Sequence, residues 1–347
     1  MSKSDVEKDL TKIGEFGLIE LLTSKIKLIH SESKLGVGDD AAIIDAKGKH
    51  AVVTTDLLTE GIHFDLMYTP LKHLGYKAII VNLSDVYAMN AMPKQVLVSI
   101  AISNKFTTDM LEELYDGMHL ACELYGVDMV GGDTSSSLTG MTITVTAIGM
   151  ADEDKIVKRS GAKENDLICV TGDLGGAFLG LQLLEREKEI FNQTGSSQPD
   201  LSGYDYILER QLKPEAGKDL VEELDKAGIL PTSMIDISDG LSSEILHICK
   251  ASVCGCAVYA DKIPVSDEVK RAAEDLNLEG LTIALSGGED YELLFTVPVN
   301  QYDKIDELNG VSIIGHIKPK SEGEHLVLPD GSLVELSALG WNTFNEE

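Results

Sequence analysis

The sequence predicts a mixed α/β chain of the α+β kind, organised as two domains. Three observations carry this. Short apolar runs bounded by Gly, Asp, Ser and Thr alternate with longer segments of helical periodicity. A length of 347 residues is long for one core and comfortable for two. A change of pattern near residue 150, after a strand-like run that ends near Met150, divides the chain into 1–150 and 151–347.

In chain order, residues 1–30 read as a helical opening with Phe16, Leu18, Ile19, Leu21 and Leu22 on a buried stripe. Gly36-Val37-Gly38-Asp39-Asp40 is a turn feeding a short buried strand, Ala41 to Ile44, and Ala51 to Thr55 is a second strand. Pro70 to Asn90 reads as a helix that carries Lys77, Asn82 and Asp85 among apolar neighbours. Residues three apart share a helical face, so Asn82 and Asp85 point the same way and need a polar destination. Val96 to Ser103 is a strand and Thr108 to Tyr125 a helix, with Thr107 or Thr108 as its N-cap. Asp128 to Val130 leads into Gly131-Gly132-Asp133-Thr134, and Met141 to Met150 is a strand.

The second half opens with a turn, Ser160 to Asp166, before the strand Leu167 to Thr171. The Gly-rich stretch Gly172 to Gly180 runs into a helix, and 187–205 reads as an exposed insertion. Helices follow at Gly217 to Ala227, Leu241 to Lys250 and Ser266 to Leu276, with strands at Ala257 to Tyr259 and Glu292 to Val297. The tail contains an apolar run, Ile313 to Ile317, and the chain's one tryptophan, Trp341.

Composition narrows the function. A formal net charge of −29 argues against binding nucleic acid or an anionic membrane through a general field. No apolar run reaches about 18 residues, the length a membrane span needs, and the first residues have no secretory pattern. The five cysteines show no CxxC pairing and read as reduced structural thiols. The expected location is the cytoplasm.

The acids carry the chemistry. Asp40, Asp56, Asp85, Asp133, Asp236 and Asp239 recur along the chain, most of them beside Gly, Ser or Thr and several closing an apolar run. A carboxylate there is costly to desolvate unless a cation compensates it. Oxygen-rich clusters suit hard ions such as magnesium, which commonly bridge to substrate phosphates. The pattern therefore predicts a multi-metal phosphate site. Arg159 lies next to a turn and is placed to pair with phosphate, and His63 is within reach of an anionic substrate. No P-loop, GxGxxG opening a helix, protein-kinase signature, GxSxG or HExxH occurs, so no covalent nucleophile is expected.

Taken together, GVGDDAAI, TTD…GIHF, KAIIVNLSDVYAMNAMPK, GGDT, VKRSGA, VTGDLGGA, IDISDGLSSEILHI and ALSGGEDYELLF strongly resemble the thiamine-monophosphate kinase family, within the aminoimidazole ribonucleotide synthetase superfamily. The matches keep the family's order from about residue 14 to 344. Two relatives fit less well: the first cysteine is Cys122, not an N-terminal reactive one as in selenophosphate synthetase, and the chain ends Asn345-Glu346-Glu347, not in the modifiable Cys of the hydrogenase-maturation relative.

The resemblance implies a two-domain aminoimidazole ribonucleotide synthetase-like fold and direct, in-line, magnesium-assisted transfer of the γ-phosphoryl group of ATP to thiamine monophosphate. Residues 1–150 would bind metal and ATP and form a homodimer through a shared β-barrel. Asp40, Asp56, Asp85, Asp133, Asp236 and Asp239 would hold several magnesium ions, with Thr54 and Thr55 adding oxygens. Gly132, Asp133, Arg159 and Ser238 would contact ATP. His63, Glu289 and Trp341 would contact thiamine monophosphate. The alternatives are another ATP-dependent phosphotransferase or ligase of the superfamily, or a non-catalytic cation-binding protein.

Overall fold

The computed structural model describes residues 33–35, 38–46, 48–195 and 199–338. The expected helical opening, Gly36-Val37 and Trp341 lie outside them. The first sheet has six strands: β1 (Ser33–Leu35), β2 (Ala42–Asp45), β3 (His50–Thr59), β4 (Met92–Ile102), β5 (Asp128–Ser136) and β6 (Met141–Ala151). Their spatial order is β1-β2-β3-β6-β4-β5, antiparallel except for the β4–β5 pair. Two helices, α1 (Leu71–Ala88) and α2 (Thr108–Tyr125), belong to this half. Thr107 caps α2 by accepting from Met110 N at 3.4 Å, and Gly126 closes it in the left-handed conformation.

The second sheet has seven strands: β7 (Leu167–Thr171), β8 (Ser233–Asp236), β9 (Gly255–Tyr259), β10 (Leu293–Val297), β11 (Val311–Lys318), β12 (Glu324–Val327) and β13 (Leu333–Glu335). They run in the order β13-β12-β9-β11-β7-β10-β8. Between them lie α3 (Gly176–Thr194), α4 (Asp205–Leu212), α5 (Lys218–Ala227), α6 (Leu241–Ser252), α7 (Asp267–Asp275), α8 (Gly280–Ser286) and α9 (Tyr302–Asp306).

α1 is the centre of the molecule. Nearly all of its 18 residues are buried, because it has apolar neighbours on every side. Leu74, Ile79, Ile80, Leu83 and Val86 are fully inaccessible and belong to a core that includes Val52, Val98 and Val145 of the first sheet. The same core runs on into Met234, Leu293 and Phe295 of the second sheet. Strand alternation in β3 turns Val52, Thr54, Asp56 and Leu58 toward this core and leaves Thr55 and Leu57 exposed on the other face.

One expectation is revised in part. Residues 187–194 are not a separate insertion but continue α3, with Glu187 buried and accepting a hydrogen bond from Asp200 N at 3.0 Å, while 189–194 are exposed as expected. Gly131-Gly132-Asp133-Thr134, into which Asp128 to Val130 leads, lies inside the single strand β5. β4 lies beside it in parallel and imposes the extended conformation.

Candidate active site

Four segments converge. The turn at Gly38, where φ is 120°, delivers Asp39 and Asp40 to the start of β2. The inward face of β3 delivers Thr54 and Asp56, α1 delivers Asn82, Ser84 and Asp85, and the end of β8 delivers Asp236. Carboxylate oxygens of Asp40, Asp85 and Asp236 all lie within 4.8 Å of one another. Asp40 and Asp236 are buried, at 7% and 4% exposure.

Neighbouring polar groups hold these acids in place. Thr54 Oγ1 donates to Asp85 Oδ2 and Ser84 Oγ to Asp236 Oδ2, each at 2.6 Å. Asn82 Oδ1 accepts from Asp56 N at 3.0 Å, and its Nδ2 donates to Ala78 O at 3.1 Å. Asn82 and Asp85 thus meet β3 together, as their spacing on one helical face predicts. Arg159 grips Asp40 bidentately, Nη2 to Oδ1 at 2.8 Å and Nε to Oδ2 at 3.0 Å, and its backbone N–H donates to Asp39 Oδ1 at 3.1 Å.

One arginine does not balance so many carboxylates. Burial, then the charges of Asp236, Asp56 and Asp40, push the Asp85 carboxyl well above the usual range. Burial and the charge of Asp40 push Asp236 up to about 7, and burial pushes Asp56 up to about 6. Burial, then Asp40, raises Asp39 to about 6. Glu244 on α6 is raised well above its usual value by burial and by Asp239 and Asp236. Crowded acids of this kind call for added positive charge.

The loop after β8 carries Ser238 and Asp239, and the loop before β10 carries Glu289. Backbone bonds continue the β8–β10 ladder between them: Glu289 N to Ser238 O at 2.8 Å and Tyr291 N to Ile237 O at 2.9 Å. Glu289 and Tyr291 both adopt positive φ, 67° and 53°, although neither is glycine. His63 is exposed, and its Nδ1 accepts from Thr59 N at 3.1 Å. The neutral ring therefore carries its proton on Nε2. The segment after His63 is fastened to α3 by Lys188–Asp65 at 2.8 Å and Tyr68–Glu185 at 2.6 Å.

Other residues of the expected set sit apart from the three carboxylates. The Thr55 hydroxyl faces the opposite side of the sheet, donating to Val145 O at 2.9 Å and accepting from Thr146 at 3.0 Å. Gly132 and Asp133 are exposed on the edge strand β5, with β4 and β6 between them and β3. At about 4.8 Å per strand this separates them laterally by roughly 14 Å from Asp56. Gly132 has a structural reason of its own: a Cβ there would stand 1.7 Å from Val98 O.

Sequence reasoning missed Ser84 and Glu244. Ser84 precedes Asp85 and could have been suspected from that adjacency. Glu244 lies in the first turn of α6, whose N-cap is Gly240, and its carboxylate reaches back to accept Asp239 N at 3.1 Å.

Residues 38–151 match the family model described as AIR synthase related protein, N-terminal domain. A thiamine-monophosphate kinase of Bacillus subtilis is 33% identical over 340 residues, covering 95% of this chain and 99% of the relative. One of Aquifex aeolicus is 35% identical over 335 residues, covering 96% and 99%. Among solved structures, AaThiL complexed with AMPPCP and TMP superposes with a TM-score of 0.80 at 32% identity, covering 96% of this chain and 98% of that one. With such identity sustained over almost its whole length, the chain belongs to the thiamine-monophosphate kinase family.

Proposed function

We propose that this protein transfers the γ-phosphoryl group of ATP to the phosphate of thiamine monophosphate, giving thiamine diphosphate. The observation that carries the reading is the convergence of Asp40, Asp85 and Asp236, drawn from both halves of the chain, within 4.8 Å. It is supported by kinship with enzymes named thiamine-monophosphate kinase and by likeness to a structure bound to AMPPCP and TMP.

The donor set fits magnesium: it consists of hard oxygens, with carboxylates predominating and the Thr54 hydroxyl beside them. Asp40, Asp56, Asp85 and Asp236 would hold the ions, with Asp239 at the margin, and the bound metal would neutralise phosphate charge as donor and acceptor approach. Asn82, Thr54 and Ser84 keep the carboxylates aimed. Arg159, already at the cluster's edge, is placed to contact a phosphate of ATP together with Ser238, whereas Gly132 and Asp133, on β5 and three strands away from β3, would meet ATP outside that contact. His63 presents Nε2–H toward the acceptor phosphate, and Glu289 offers a carboxylate to the cationic substrate. The acceptor phosphate loses its second proton near pH 6 and attacks without a strong general base. No covalent intermediate is required.

We further assign the chain two domains, 1–150 and 151–347, supported by the separation of the two sheets in sequence, and a homodimeric state. The dimer is supported by the outer face of the first sheet, where Leu57, Leu97 and Val130 are 54%, 37% and 57% exposed, and by the exposed edge strand β5. Five buried free thiols fit a reducing cytoplasm, and no helix among the described residues is long and apolar enough to cross a membrane.

The direct test incubates the protein with ATP, magnesium chloride and thiamine monophosphate and separates the products by chromatography. Thiamine diphosphate formed in step with ADP is the expected result. ATP turnover with a different acceptor, and none with this one, would replace the proposal with another phosphotransferase of the superfamily. A monomeric mass by light scattering would remove the dimer.

A further inference from the structure

We infer that Lys77 is a positioning residue for substrate recognition: it acts from inside the seam between the two halves by fixing the carboxylate of Glu289. The inference rests on the proposed contact between Glu289 and thiamine monophosphate and extends it to residues outside that contact.

Lys77 sits on α1 among apolar residues and is only 4% exposed. A lysine so deeply buried has to be paired. Its Nζ donates to Glu289 Oε2 at 3.1 Å and to the backbone oxygen of Gln211, at the end of α4, at 3.0 Å. The Gln211 side chain, itself 5% exposed, donates from Nε2 to the same Oε2 at 3.0 Å. One oxygen of Glu289 is thus held from two sides by groups on two elements. Among the described residues these contacts all fall on Oε2, which leaves Oε1 to face a ligand, on a side chain still 29% exposed.

The backbone adds a second reason for an anchor. Glu289 holds a φ of 67°, a conformation that a non-glycine residue keeps only when its surroundings impose it. Lys77 and Gln211 supply side-chain anchors, and the Ser238 carbonyl supplies a main-chain one at 2.8 Å. Because Lys77 stands on the same helix as Asn82, Ser84 and Asp85, α1 sets both the carboxylate cluster and the Glu289 oxygen. Substrate affinity is thereby tied to how the two halves seat on each other.

The experiment is a double-mutant cycle of Lys77→Met and Glu289→Gln, with KM and kcat measured for both substrates and folding checked by thermal denaturation. Lys77→Met is expected to raise KM for thiamine monophosphate about tenfold, with KM for ATP within about twofold of wild type, and to add nothing in the Glu289→Gln background. A folded Lys77→Met protein with wild-type KM, or one whose effect persists unchanged in the Glu289→Gln background, overturns the inference. Should Lys77→Met fail to fold, Lys77→Gln keeps a polar donor for the Gln211 carbonyl while removing the ammonium from Glu289 Oε2. A raised KM for thiamine monophosphate then supports the inference, and an unchanged one overturns it. Glu289→Gln with wild-type KM would instead overturn the underlying contact, and the inference with it. That pattern is distinct, because the first failure needs Glu289→Gln to be impaired.

Discussion

Replacing Asp236 by Asn should make the metal-depleted protein more stable while impairing its response to magnesium. Asp236 lies 4% exposed at the end of β8, beside Asp40 and Asp85. Burial, followed by the charge of Asp40, raises its carboxyl from 3.8 to about 7. Between those values the folded chain binds more protons than the unfolded chain, so stability falls as pH rises. The loss is complete above the folded value. At 1.36 kcal/mol per pKa unit, it amounts to on the order of 4 kcal/mol. Neighbouring carboxylates share protons and relax when one charge leaves, so about half of that should be recovered by substitution. An amide at this position stays neutral and still accepts from Ser84 Oγ. In EDTA at pH 8, Asp236→Asn should therefore be more stable than wild type by about 2 kcal/mol, raising Tm by roughly 3 °C, with the gap closing toward pH 5. Millimolar magnesium should raise the Tm of wild type at pH 8, and that of the variant by clearly less. Thermal denaturation monitored by circular dichroism at pH 5 and pH 8, with and without magnesium, reads all four values. A variant less stable than wild type at pH 8 in EDTA, or one with an undiminished magnesium shift, would refute the account of Asp236 as a repelled metal ligand.

Four further outcomes can be measured. Asp85→Asn should leave the fold intact and reduce kcat by more than tenfold, or about 1.4 kcal/mol of barrier. A steady-state assay retaining more than a tenth of the rate counts against its role in the cluster. Arg159→Ala should raise KM for ATP more than KM for thiamine monophosphate, and equal effects on both would assign it only to holding Asp40 and the two halves together. Gly132→Ala should destabilise the protein by on the order of 2 kcal/mol or more in urea denaturation, because its Cβ would stand 1.7 Å from Val98 O. Trp341→Ala, at a position outside the described residues, should weaken thiamine monophosphate binding about tenfold and leave ATP binding unchanged if the indole stacks on the cationic ring; the quenching of this single tryptophan on titration reads the same contact.

Local physics made much of the architecture legible from the residues. α2 runs from its Thr107 cap to Tyr125, and β7 covers Leu167 to Thr171, because capping chemistry and a run of buried β-branched residues act within a few positions. The spacing of Asn82 and Asp85 foretold a shared polar destination for the same reason. Glycine-rich Gly131 to Thr134 resisted such reading: local preference favours a turn, and pairing with a strand some thirty residues earlier overrides it. The short α8 and strands β12 and β13 were equally opaque, since neighbours more than their own sequence hold them in place.

For the site, the residues themselves determined its chemistry: acids at the ends of apolar runs, with few cations, mark a place where added positive charge is needed. Only the tertiary structure decided which acids meet. Asp40, Asp85 and Asp236 converge because a turn, a helix and a strand from opposite halves end at one point, whereas Asp133 lies across the sheet from Asp56. Thr54 and Thr55, adjacent in sequence, face opposite ways because a strand alternates its side chains. The pairing of Arg159 with Asp40, and of Lys77 with Glu289 across 212 positions, has no local signature. Desolvation and charge complementarity act through space, and only the folded chain brings these groups within reach of each other.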